Sequence, residues 1–127
     1  MTYRYTIPSV PPSNNEYIGR DNRWKYQEIK KQWALLVAAY CRPRPPAPLE
    51  HASVTLVYCF GDNRRRDPDN YSGKMILDGL VKAGIIRDDS FERIDLTLRR
   101  VYDGAKRTEV IVEVTNYEKS REKYKRF

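Results

Sequence analysis

Histidine occurs once and cysteine twice among the 127 residues. With His51 alone, zinc centres built on several histidines are excluded, and a Ser-His-acid triad would rest on that one residue. Cys41 and Cys59 form no CxxC pair and are too few for a disulfide framework, so two reduced, packed thiols are expected. No stretch approaches the roughly 18 consecutive apolar residues that span a bilayer. The opening MTYRYTIPSV has no apolar signal-peptide region. A soluble, cytoplasmic protein with no membrane partner is therefore expected, and the length suits one domain with one modest core.

Charge and aromatic residues are what the chain has in quantity. It carries 24 Lys and Arg against 17 Asp and Glu, a net charge of +7, and has ten tyrosines. A small basic domain favours a polyanionic partner. Nucleic acid ranks ahead of an anionic membrane surface, because no basic amphipathic helix with a bulky apolar face stands out. If there is chemistry, carboxylates and lysine are its tools.

The hydrophobic periodicity gives the order strand, helix, strand, helix, strand, strand. Residues 2–7, TYRYTI, alternate as a half-buried strand, which the prolines and asparagines of PSVPPSNN end. From about Asn22, Tyr26, Ile29, Trp33, Leu36, Val37 and Tyr40 recur at helical spacing and mark a core-facing stripe. The proline-rich CRPRPPAPLE stops that helix and serves as a stiff connector. ASVTLVYCF, residues 52–60, is apolar on both faces and predicts a central strand. A second helix is expected over 68–83, with Asp67 as N-cap, Pro68 as first helical residue and Gly84 as stop. Two alternating strands follow, ERIDLTLRR and RTEVIVEV, and the Asp-Gly in the YDGAK link predicts a hairpin between them. The expected fold is α+β, one mixed sheet with two main helices on one face, over residues 1–116. The basic segment 117–127 forms a tail.

The densest chemistry is RRRDPDN, residues 64–70. Three phosphate-seeking arginines run into two carboxylates that repel phosphate. Capping explains one aspartate at a helix start and leaves the other surplus. An i, i+2 pair of carboxylates in an irregular first turn suits a hard divalent cation, which reverses the sign of the acid cluster. Asp88 and Asp89, between the second helix and the next strand, offer a third carboxylate if they return to the same strand end. In the second helix Asn70, Lys74, Asp78 and Lys82 fall four apart. Lys74 either pairs with Asp78 or faces the acids one turn back, where it would stabilise charge on a phosphate.

PPSNN, RRRDPDN, Lys74, LDGLVKAG and the paired Asp88-Asp89 together resemble the RusA-type Holliday junction resolvases, small endonucleases that act on four-way DNA junctions. The resemblance implies that Asp67, Asp69 and Asp89 are metal-binding catalytic acids, that Lys74 is the catalytic lysine, and that Mg2+, or Mn2+ in its place, is the cofactor. It also implies a homodimer acting on branched DNA in recombination and repair. Arg64, Arg65, Arg66, Asn14, Asn15 and Asn70 become DNA-binding candidates, while Asp78 and Asp88 take supporting roles. One departure concerns the spacing: Tyr71-Ser72-Gly73 puts Lys74 one residue further from Asp69 than in better-known members. In a regular helix that residue rotates Lys74 by about 100°, and Gly73 points to an irregular turn that absorbs it. Two other readings are a nuclease of the same fold preferring flaps or forks, and a non-catalytic nucleic-acid-binding module.

Overall fold

A computed structural model describes residues 1–17 and 19–115, and the expected basic tail lies outside the described residues. Alternating apolar residues form strand β1 (Thr2–Ile7), the both-faces-apolar run forms β2 (Ala52–Phe60), and β3 (Ile94–Tyr102) and β4 (Arg107–Val114) close the sequence order. Helix α1 (Arg23–Tyr40) lies between β1 and β2, and helix α2 (Lys74–Lys82) between β2 and β3. The strands make one mixed sheet in the order β1-β4-β2-β3. The α+β fold and its element order are as the periodicity predicts.

The expected hairpin does not form. β2 lies between β3 and β4, parallel to the first and antiparallel to the second. Its buried residues and both ladder edges claim the central place, so the chain between β3 and β4 must cross two strand spacings, about 10 Å. Asp103 still makes a turn there, accepting from the Ala105 amide at 3.2 Å and pairing with Arg107 at 2.6 Å. The turn chemistry was legible, whereas the pairing depended on a strand 40 residues earlier.

One face of the sheet carries the core. Tyr5 and Ile7 of β1, Val110 and Val112 of β4, and Val54, Leu56 and Tyr58 of β2 are all buried. They line up in register, with Val54 opposite Val112 and Leu56 opposite Val110. From the helices, Ile29, Trp33 and Val37 of α1 and Met75, Ile76, Leu77 and Leu80 of α2 join the same cluster. The helix stripe therefore holds at its centre, while Tyr40 at its end is half-exposed. Both cysteines are free and buried, and burial pushes the Cys41 thiol up to about 12.

The second helix is shorter than its sequence pattern. Asp67 starts a single 3-10 turn, Pro68–Asn70, and α2 begins only at Lys74. Gly73 separates them at φ 83°, the left-handed region, where a Cβ would also lie 2.6 Å from Leu56 Cδ1. The chain can make this bend only without a side chain. Proline at 68 starts a turn well, but that turn closes after Asn70 and the helix begins again only beyond the Gly73 bend.

At Gly79 the two helices meet. A Cβ there would approach Val37 Cγ2 at 2.7 Å. Gly79→Ala, worth about 1 kcal/mol of stabilisation in an exposed helix, is expected to lower the melting temperature here. Adding Val37→Ala should recover part of the loss. Thermal unfolding of the two variants checks this, and a higher Tm for the single variant would show that the helices are not in contact at Gly79.

Candidate active site

The acid turn follows the C-terminal end of β2 and folds back over it. Gly61 leads into a loop organised by Asp62, a residue the sequence reading passed over. Asp62 accepts from the Arg64 amide at 3.0 Å and pairs with Arg66 Nη1 at 2.9 Å. The Arg66 guanidinium first, and then the Arg64 amide, hold its carboxyl well below the usual range. Arg66 also donates to the carbonyls of Asp62 and Arg64 and lies over the Phe60 ring, 3.9 Å from its centroid. The signal was present as acid-x-x-x-basic spacing across DNRRR, hidden by the run of like charges.

The three arginines therefore divide. The side chains of Arg64 and Arg65 are 81% and 88% exposed, and that of Arg66 only 13%. Arg64 and Arg65 stay exposed in loose carboxylate contacts, Arg64 Nε with Asp62 at 3.3 Å and Arg65 Nε with Asp67 at 3.4 Å, while Arg66 is a bracket between loop and sheet. Asp67 is half-exposed, and among the described residues its carboxylate meets Arg65 Nε alone, at 3.4 Å, a loose contact in water. Asp69 is exposed, and its side chain has no hydrogen-bond or ion-pair partner among the described residues.

The PPSNN loop reaches this turn. Asn14 Nδ2 donates to the Asp69 carbonyl at 3.0 Å and to Ser72 Oγ at 3.2 Å. The Tyr17 hydroxyl in turn donates to Asn14 Oδ1, and its ring packs on Tyr26. Asn14 thus clamps the acid turn from 55 residues away in sequence, through its own side chain. Asn15 stays exposed and gives its amide to Ser13 Oγ. Asn70 lies in the acid turn, its amide closing onto the Asp67 carbonyl.

Lys74 is the first residue of α2 and is exposed. Asp78, one turn on, has a buried Oδ2 without a hydrogen-bond partner among the described residues. Its charge, with burial and Tyr26 as larger causes, raises the Tyr17 phenol. Lys74 and Asp78 share a helix face as the spacing predicts, but Asn70 does not, because the Gly73 break puts it in a separate turn.

Asp88 and Asp89 lie elsewhere. The Arg87 amide is bonded to the Leu49 carbonyl and the Ala52 amide to the Arg93 carbonyl, so the exposed loop between them sits at the N-terminal end of β2. Asp67 borders Phe60 and Leu98 through Arg100, at the other end. At ~3.3 Å per residue the two levels are on the order of 20 Å apart. Within one chain, then, Asp88 and Asp89 do not return to the acid turn. Among the described residues no three His, Cys, Asp or Glu side chains gather to hold a metal. The parallel β2–β3 crossover is the reason, since it delivers the chain to the start of β3 at the end where β2 began.

A strand-to-helix turn presenting two accessible carboxylates beside two exposed, loosely paired arginines is an arrangement suited to phosphodiester chemistry on a polyanion. The model of the endodeoxyribonuclease RusA family matches residues 8–113. The chain belongs to the RusA endodeoxyribonuclease family, and its activity is that of a Holliday junction-resolving endodeoxyribonuclease, a nuclease that binds branched DNA. No curated protein matches it. No helix among the described residues is long and apolar enough to cross a membrane.

Two expectations follow from this geometry. Asp62, with a lowered folded pKa, contributes order to the loop that is present above the ordinary aspartate range and lost only as pH falls through the lower folded value. Proton shifts of Phe60, which report the ring beneath Arg66, should stay constant through pH 4 and change at lower pH. Asn14→Ala should slow junction nicking about tenfold or more at saturating protein while leaving junction affinity within about threefold, since a misplaced turn costs rate rather than binding. Weaker binding with undiminished turnover would instead assign Asn14 to DNA contact.

Proposed function

We propose that this endonuclease resolves four-way junctions by paired, symmetric, Mg2+-dependent nicks, with Mn2+ able to substitute, acting as a homodimer. The observation that carries this reading is the Asp67-Pro68-Asp69 turn, whose exposed carboxylates have no firm protein partner and adjoin Arg64 and Arg65. Mg2+ needs one or two carboxylates and completes its shell with water and phosphate oxygens, so the pair fits it. When bound, the ion supplies an activated water and neutralises charge on the phosphoryl group.

The residues of the chain do the rest. Arg64 and Arg65 hold the backbone through phosphate contacts that position without reading sequence, and binding weakens steeply with salt. Lys74 stands at the start of α2 to meet charge developing on the phosphate, with the unpartnered Asp78 oxygen one turn behind it as an acceptor for its ammonium. Two nicks in strands of like polarity call for two acid turns, and each chain has one, so a two-fold dimer is the simplest assembly. Such a pairing also accounts for Asp89. On this reading the partner subunit's Asp89 completes the acid set of Asp67 and Asp69, with Asp88 beside it supporting the loop. The protein then works in the cytoplasm, on DNA and not on membranes.

Asp69→Asn is expected to abolish Mg2+-dependent nicking while junction binding persists or tightens, because a negative charge near phosphate is removed. Mixing two inert variants, Asp69→Asn and Asp89→Asn, should restore nicking, since a mixed dimer keeps one intact shared site. Failure of the mixture to recover activity would place each acid set within one chain or remove Asp89 from it. Equal cutting of linear duplex, flaps and four-way junctions would count against junction selectivity, and no cutting of any would leave a binding module.

A further inference from the structure

Beside the acid turn is a cleft whose character differs from the charged surface around it. Its floor is aromatic: Tyr58, Phe60 and Tyr71 form a triangle with ring centroids 5.4 to 6.4 Å apart. Leu98 supplies one apolar wall, Arg99 and Arg100 stand around the rim, and Arg66 lies inward over the Phe60 ring. Asp67 and Pro68 border the same opening, so whatever enters it lies against the turn that carries the acids. Arg100 is held in place by Asn63, to whose Oδ1 it donates at 2.7 Å. Tyr58 and Phe60 are fixed in the core at 3% and 4% exposure, and Arg66 is locked over Phe60 by Asp62. The pocket is therefore preformed.

An apolar floor with a cationic rim does not suit a phosphate by itself, which would gain nothing from the aromatic rings. It suits a flat, weakly polar ring whose attached phosphate stays at the rim. In branched DNA that group is a nucleobase. Extruding a base costs least where its pairing or stacking is already broken, as at a branch point held open, and aromatic surfaces accept any base face. We propose that this cleft receives an unstacked base from the branch point and thereby sets which phosphodiester is presented to the Asp67–Asp69 turn. The inference rests on the reading of that turn as the place where the strand is cut.

The test crosses a filled pocket with a missing base. Single-turnover nicking by the full-length protein is mapped on four-way junctions with Mg2+, comparing wild type, Leu98→Trp and Tyr71→Leu. The junctions are intact or carry an abasic residue at successive positions flanking the cut. Filling the cleft or removing the correct base should each reduce discrimination between neighbouring phosphodiesters about tenfold, and the two together should do no more than one alone. Because the Tyr71 ring also fastens the acid turn, thermal unfolding and nicking of an abasic junction by each variant separate a pocket effect, which the abasic junction masks, from loosening of the turn, which it does not. If the losses multiply at every position, or if no abasic position matters, no base occupies the cleft and the nuclease reading stands. If wild type nicks no junction at any position, that reading fails and the inference falls with it.

Discussion

The left-handed backbone at Gly73 governs the arrangement of everything around the acids. Strand β2 delivers the chain to one end of the sheet, and without a sharp bend the next fifteen residues would run on as a single helix away from it. At φ 83°, with Leu56 Cδ1 where a Cβ would sit, the backbone instead closes over the strand it has just left. The 3-10 turn holding Asp67 and Asp69 is thereby laid against the sheet, and α2 restarts with Lys74 at its tip. Tyr71, between the two, packs its ring on Tyr58 and Phe60 and fastens the bend to the core. The spacing that looked like an insertion is thus taken up as a reversal of direction, one that a regular helix could not make.

Around this bend, hydrogen bonds from distant segments fix the turn without covering it. Asn14 grips the Asp69 carbonyl and leaves its carboxylate in solvent. Asp62 takes Arg66 inward and leaves Arg64 and Arg65 outward. Of the nearby cations only the exposed Arg65 touches an acid of the turn, at 3.4 Å from Asp67, among the described residues. A hard cation or a phosphate can then meet groups whose positions are already set, which lowers the reorganisation needed at the moment of reaction.

Much of this was legible in the chain. Strand and helix order followed from period, the core stripe of α1 from its spacing at Ile29, Trp33 and Val37, and the acid pair from its density of unlike charges. What escaped was whatever depended on contacts distant in sequence. The pairing of β3 and β4 was lost because β2 intervenes, and strand neighbours are chosen by the whole sheet and not by the turn between them. The place of Asp89 was lost because a parallel crossover reverses which strand end the chain reaches. The grip of Asn14 on the acid turn was hidden because an amide in a loop has no visible partner until the fold brings one. Arg66 looked like its neighbours because a run of three identical side chains gives no hint that one of them faces a ring.

That last division changes how the charge of the chain should be counted. A count of 24 Lys and Arg treats every cation as available to a polyanion, yet Arg66 is paired with Asp62, and Arg107 stands between Asp103 and Glu109. Neither is free to displace counterions from DNA, so the number of phosphates this surface can neutralise is smaller than its sequence suggests. Replacing Arg66 would also unseat Asp62, uncover Phe60 and loosen the loop that carries Arg64 and Arg65. A binding defect at that position would then record the collapse of a bracket, though in a table of mutants it would be indistinguishable from the loss of a phosphate contact.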